Sequence, residues 1–215
     1  MLRETISNEW LTILIVLSLF ILALAKYAFS KRFNDFLWVI GNSKYLKIYA
    51  REQKFIDKFD GLLFSNLIIS LSLFLFLSYN TLVQLISFEI LIFLKIILSL
   101  GALILIKVLI ERLIGSLFEI DAIIDSYIFQ KTSYKNYIGI VLLPINILLI
   151  FALQPNSSII YVVLGLLFTI NMLGLITSFK THQKLIINNF FYFILYLCAL
   201  EIAPYIILYK LFIDS

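Results

Sequence analysis

The chain has 215 residues, 62% of them hydrophobic and 14% charged, and its mean hydropathy is +1.05. A soluble globular domain is about 45–50% apolar, so the composition argues against a soluble enzyme or a nucleic-acid-binding module. The net charge of +4 instead reads as the positive-inside bias of a membrane protein. The one cysteine, Cys198, lies in an apolar run, excludes an internal disulfide and reads as a packing residue.

The expected class is all-α and polytopic: one integral membrane domain over residues 1–215, a bundle of six transmembrane helices with one or two cytoplasmic amphipathic helices. The first span is expected over 10–29, about 20 residues, the length that crosses ~30 Å of hydrocarbon. Ala23-Leu24-Ala25 resembles a signal-peptidase site. Acidic Glu4 and Glu9 precede the apolar run, however, and the basic residues follow it, so the segment reads as a retained anchor.

Residues 31–60 form the longest polar segment and are expected to lie at the cytoplasmic interface. Its first part, FNDFLWVIG, is aromatic. In its second part Lys44, Lys47, Arg51, Lys54 and Lys58 recur three and four apart, which makes a basic stripe along one helix face. Such a stripe docks anionic lipid headgroups or an acidic partner, at about 1 kcal/mol per residue near a charged leaflet; enforcing topology is its simplest role.

The second span, 61–79, carries a polar seam of Ser65, Asn66, Ser70, Ser72 and Ser78, suited to interhelical hydrogen bonds. The third, 84–110, contains Glu89, Lys95 and Lys107, and a charge at the bilayer centre costs roughly 2.5–3.5 kcal/mol even on a mild scale. Glu89 and Lys95 fall on different helix faces, so neither answers the other. Lys95, Ser99 and Ala102 share a face that is expected to look into the protein, and Lys107 is expected to snorkel towards Glu111.

Residues 111–137 are expected to form a second cytoplasmic helix bearing Glu119, Asp121 and Asp125. Carboxylate groups of this kind hold divalent cations in membrane enzymes acting on phosphorylated lipids. Here only Asp121 and Asp125 share a face and no further ligand accompanies them, so the expectation is a solvated acidic face with no metal and no cofactor. The fourth span, 138–153, contains Pro144 and Asn146; the fifth covers 159–179. His182, in the basic link after it, reads as a solvated loop residue. The sixth span, 188–209, contains Glu201 and Pro204. Taking helix depth at 1.5 Å per residue, Lys95 and Glu201 both lie roughly 13 Å below the outer boundary, which makes them the expected intramembrane charged pair, with Glu89 as a further intramembrane charge.

Lys and Arg number seven in 31–60, three in 111–137 and two in 180–184, against none in the other two links. The inner-membrane topology that follows is multi-pass with both termini periplasmic.

The closing Leu200-Glu201-Ile202-Ala203-Pro204 and Leu208-Tyr209-Lys210 resemble a family of multi-span inner-membrane proteins of Bacteroidota, a domain of unknown function. That resemblance implies a clade-specific envelope role, with the secretion and gliding machinery of the phylum as the natural candidate. The function expected is therefore a non-enzymatic subunit or scaffold of a cell-envelope assembly, whose partners are anionic headgroups of the bilayer and other membrane-protein subunits, with no nucleic acid. The alternatives are a small transporter or proton-coupled protein using Glu89, Lys95 and Glu201, and a membrane enzyme on lipid-linked phosphate.

Overall fold

The structure is a computed structural model and describes residues 9–41, 44–50, 57–83, 89–117, 121–153 and 155–188. All regular elements among them are helical: α1 (Glu9–Ala28), α2 (Ser30–Leu37), α3 (Lys44–Tyr49), α4 (Lys58–Leu82), α5 (Ile90–Leu117), α6 (Asp121–Ile147) and α7 (Ser157–Asn188). Among the described residues five stretches are long and apolar enough to cross a membrane: Glu9–Ala28, Lys58–Leu82, Ile90–Leu117, Ile124–Ala152 and Ser157–Thr177.

Helix α4 is the centre of the bundle, packed chiefly against α6 and α1. It contributes to all three buried clusters. Phe59 and Leu63 join the end cap, Leu67, Phe74 and Leu77 meet α6 and α7, and Ile69, Leu73 and Phe76 meet α1 and α5. Of its most apolar eighteen residues 56% are buried, against 6% for α5. The polar seam lies where α4 is covered. Ser18 of α1 donates to Asn66 Oδ1 (2.5 Å) and lies 3.4 Å from Ser70 Oγ, while Asn146 of α6 donates through Nδ2 to the Ser70 carbonyl (2.8 Å). Ser65 falls outside the seam and bonds back to the Gly61 carbonyl.

Close approach completes the α4–α6 contact. A Cβ on Gly139 would stand 2.6 Å from Leu67 Cα, so the two backbones touch where α6 has no side chain. Gly174 of α7 abuts the root of the Tyr134 ring in the same way, at 2.8 Å from Cγ. Near its end α6 passes Pro144 and widens into a π-helical turn over Leu148–Ala152, with Leu153 N donating to the Leu148 carbonyl at 2.7 Å.

Several sequence-based boundaries are corrected. Residues 111–137 are not a separate cytoplasmic helix: Glu111–Leu117 ends α5, and Asp121 onwards runs unbroken into the fourth span. No glycine or proline interrupts residues 121–137, and Lys131 bonds to Glu111 within the bundle, so polarity alone does not end the helix. Helix α7 likewise continues through the basic link, so His182 is a helical residue, not a loop residue. The stripe from Lys44 to Lys58 is not one helix: α3 stops at Tyr49, and Asp57 is extended (φ −104°, ψ 125°) as the N-cap of α4. Helix α5 begins at Ile90, just after Glu89, and residues 84–88 of the expected third span lie outside the described residues. The expected sixth span, 188–209, lies outside the described residues apart from Asn188.

Gly139→Ala is expected to destabilise the detergent-solubilised protein by about 1–3 kcal/mol, because the new methyl group meets backbone that cannot rotate away. Gly165→Ala, where nothing lies within 4 Å, serves as the control and leaves the unfolding midpoint unchanged or slightly raised. Equal effects of the two substitutions would refute the close approach.

Candidate functional site

The polar side chains concentrate at one end of the bundle, where α4 begins and α5 ends. Chain direction reverses there twice. After a break at Phe29 (φ −133°, ψ 46°) the short α2 turns its apolar side, Phe33 and Phe36, onto the bundle. Phe36 meets Tyr45 and Phe59 edge-on, at ring-centre distances of 5.2 and 5.9 Å, and Tyr45 stacks on Phe129 of α6 at 5.9 Å. The aromatic part of the interfacial segment thus packs largely against the protein, while Trp38 remains exposed.

Arg32 is the hub of this cap. Its guanidinium forks onto Asp57 and onto Asp60 (3.1 Å), and it lies over the Phe59 and Tyr49 rings at 4.7 and 5.0 Å. Asp57 also accepts from Phe59 N at 3.0 Å, and Tyr49 donates to Asp35 at 3.2 Å, so one cation ties α2, α3 and the start of α4 together. Burial opposes the charge on Arg32, but Tyr45 and the two aspartates outweigh it and hold the guanidinium even more firmly protonated than usual. Burial first, then the charge of Asp60, pushes the Tyr45 phenol well above its ordinary range against the pull of Arg32, so it remains a neutral hydroxyl.

Beside the cap lies a second assembly. Glu111, on the inward face of α5, has no exposed surface and accepts from Lys131 Nζ of α6 at 2.5 Å, Lys131 itself being 10% exposed. Glu111 Oε2 has no hydrogen-bond partner. Six residues earlier on α6, Asp125 pairs with Arg112 at 3.3 Å. The inward face of α5 also carries Phe93, Gly101 and Gly115, and the two glycines admit Ile68 and Ile124.

That geometry relocates the residues singled out from sequence. Lys95, Ser99 and Ala102 are exposed, on the side of α5 away from α4 and α6. The expectation that this face looks inward fails because the glycine-bearing face permits the closer contact. Glu89 is exposed and stands just before α5, where its carbonyl accepts from Phe93 N at 3.0 Å. Glu201 lies outside the described residues, so the Lys95–Glu201 pair does too. Of the basic stripe, Lys47 and Lys58 are exposed, the Lys44 side chain is not described, and Arg51 and Lys54 are outside the described residues. Of the acidic group, Asp121 is exposed, Asp125 is engaged by Arg112, and Glu119 is outside.

Sequence reasoning missed the Glu111–Lys131 pair. Twenty residues separate the partners, and the nearer Lys107, one helical turn away, looked the better match. The usable signal was that Glu111, like Gly101 and Gly115, falls on the small-residue face.

A model of the family described as "Domain of unknown function (DUF4271)" matches residues 11–212, and the chain belongs to that family. No curated protein and no solved structure matches it.

Removing one partner of the buried pair strands a charge. Glu111→Ala or Lys131→Ala is therefore expected to lower stability by about 3–5 kcal/mol, whereas Glu111→Leu combined with Lys131→Met recovers most of the loss. Denaturant unfolding of the single and double variants in bicelles reads this directly. Strictly additive losses would contradict the pairing.

Proposed function

We propose that this DUF4271 protein is a non-enzymatic subunit or scaffold of a cell-envelope assembly in the inner membrane of Bacteroidota, serving protein secretion or gliding. The outward face of α5 carries the reading. Lys95, Ser99 and Ala102 lie on the exposed side of a helix of which few residues are fully buried. A lysine at bilayer depth calls for an anionic or hydrogen-bonding partner, and small residues beside it let another backbone approach. A helix of another subunit supplies both.

In this reading residues 188–209 add a sixth span, closed by the Leu200–Pro204 and Leu208–Lys210 motif, and both termini are periplasmic. Lys47, Lys58 and exposed Trp38 then meet the anionic headgroups of the cytoplasmic leaflet, where tryptophan and lysine are favoured. A second reading rests on the matched depths of Lys95 and Glu201: the chain's own last span covers the α5 face from within. The transporter alternative, built on Glu89, Lys95 and Glu201, is weakened because Glu89 stands just before α5 and is exposed. The enzyme alternative on lipid-linked phosphate, built on Glu119, Asp121 and Asp125, is weakened because Asp125 is occupied by Arg112.

A photoreactive residue placed at Ala102 in living cells tests the choice. The expected product is a crosslink to one integral membrane protein that co-purifies in fixed ratio and is lost with Lys95→Leu. Crosslinks confined to residues near Glu201 of the same chain would overturn the subunit reading in favour of the internal pair.

A further inference from the structure

A cleft of about 440 Å³ opens between α4, α5 and α6 beside the charged end of the bundle, within the ~300–1,000 Å³ range of ligand pockets. Its walls are apolar: Phe64 and Leu67 from α4, Ile104, Leu105, Val108 and Leu109 from α5. Its other end is polar, lined by Arg112 of α5 and by Lys131, Ser133 and Lys135 of α6, with Asp57 and Asp60 across from them. Both aspartates are already held by Arg32. Lys131 also donates to Glu111.

Three observations identify the occupant. The first is depth. From Asp121 to Ala152 the sixth helix and its π turn cover 32 residues, about 48 Å at 1.5 Å each, while hydrocarbon takes up only ~30 Å. With Ala152 at the far boundary, Lys131, Ser133 and Lys135 fall at the near one, level with the start of α4 and with Arg112. The polar end of the cleft thus lies among headgroups and its apolar part among acyl chains. The second is access: Leu105 and Leu109 line the cleft yet are about half exposed on the outside of α5, so it opens sideways onto the bilayer. The third is Ser133. It is 1% exposed, lines the cleft and has no hydrogen-bond partner for its hydroxyl. A buried hydroxyl left unpaired is disfavoured, so it calls for an acceptor in the cleft.

We propose that the cleft binds one anionic membrane phospholipid. Its phosphate accepts from Ser133 and is held by Lys131, Lys135 and Arg112, and one acyl chain lies between α4 and α5. The phosphate suits the cationic side of the rim, and the chain suits the sideways opening.

The test uses the full-length protein, delipidated in mild detergent and titrated with dioleoyl phosphatidylglycerol, dioleoylglycerol or inorganic phosphate. Bound lipid is counted by native mass spectrometry and thermal stability is followed in parallel. Phosphatidylglycerol is expected to be retained at one per chain and to raise the melting temperature, with neither of the other probes doing so. Lys135→Gln, at a partly exposed site, and Val108→Trp, which fills the cleft, are each expected to weaken retention about tenfold. Equal retention by wild type and both variants would overturn the proposal. So would equal stabilisation by dioleoylglycerol, which would remove the phosphate, or by inorganic phosphate, which would remove the lipid.

Discussion

Lipid tails are as apolar as leucine, so burying one apolar helix against another inside a bilayer yields no hydrophobic gain. Whatever holds this bundle together must come from close approach and from polar groups that find each other out of water. Helix α4 supplies both at one level. Asn66 and Ser70 meet Ser18 and Asn146, and at Leu67, between them in sequence, Gly139 of α6 sits directly on the backbone. Each hydrogen bond in such a seam is worth about 0.6 kcal/mol on average, so it is their convergence on one helix that makes α4 the centre. From it follow the positions of α1 and α6, then of α7, which packs on α6 through Gly174.

Charge is arranged to agree with that packing. Arg32, Asp57 and Asp60, then Glu111 with Lys131, then Arg112 with Asp125, all gather at one end of the bundle, where the aromatic cap and the ends of the helices shield them in part from water. A buried pair of this kind adds little stability over an apolar substitute, but its loss by halves is severe. Its role here is better seen as fixing which ends of α5 and α6 meet. Among the described residues the outward face of α5, with Lys95, Ser99 and Ala102, is exposed.

Much of this was legible in the sequence. Runs of apolar residues predicted six spans, and five stretches among the described residues are long and apolar enough to cross a membrane; Ser18 and Asn146 join the seam from outside the serine and asparagine pattern of 61–79. The errors share a cause. Reading Lys95 as inward assumed that a polar side chain decides which helix face is buried, whereas Gly101 and Gly115 decided it by letting Ile68 and Ile124 come close. Splitting 111–137 from the fourth span assumed that polarity marks the end of a helix. Lys131, Ser133 and Asn136 belong to a helix that runs unbroken into the fourth span. Pairing Lys107 with Glu111 favoured the local partner over Lys131, which only tertiary packing brings near. Sequence periodicity reports faces and lengths; it does not report which two faces meet.

The seam on α4 is the central claim, and a double-mutant cycle between Ser18 and Asn66 tests it most directly. Unfolding free energies in bicelles would be measured for Ser18→Ala, Asn66→Ala and the double variant. A coupling of about 0.6–2 kcal/mol is expected, the upper part of the range for hydrogen bonds between membrane helices. Additive effects, with no coupling beyond error, would mean that α1 and α4 are held by shape alone and would contradict the account.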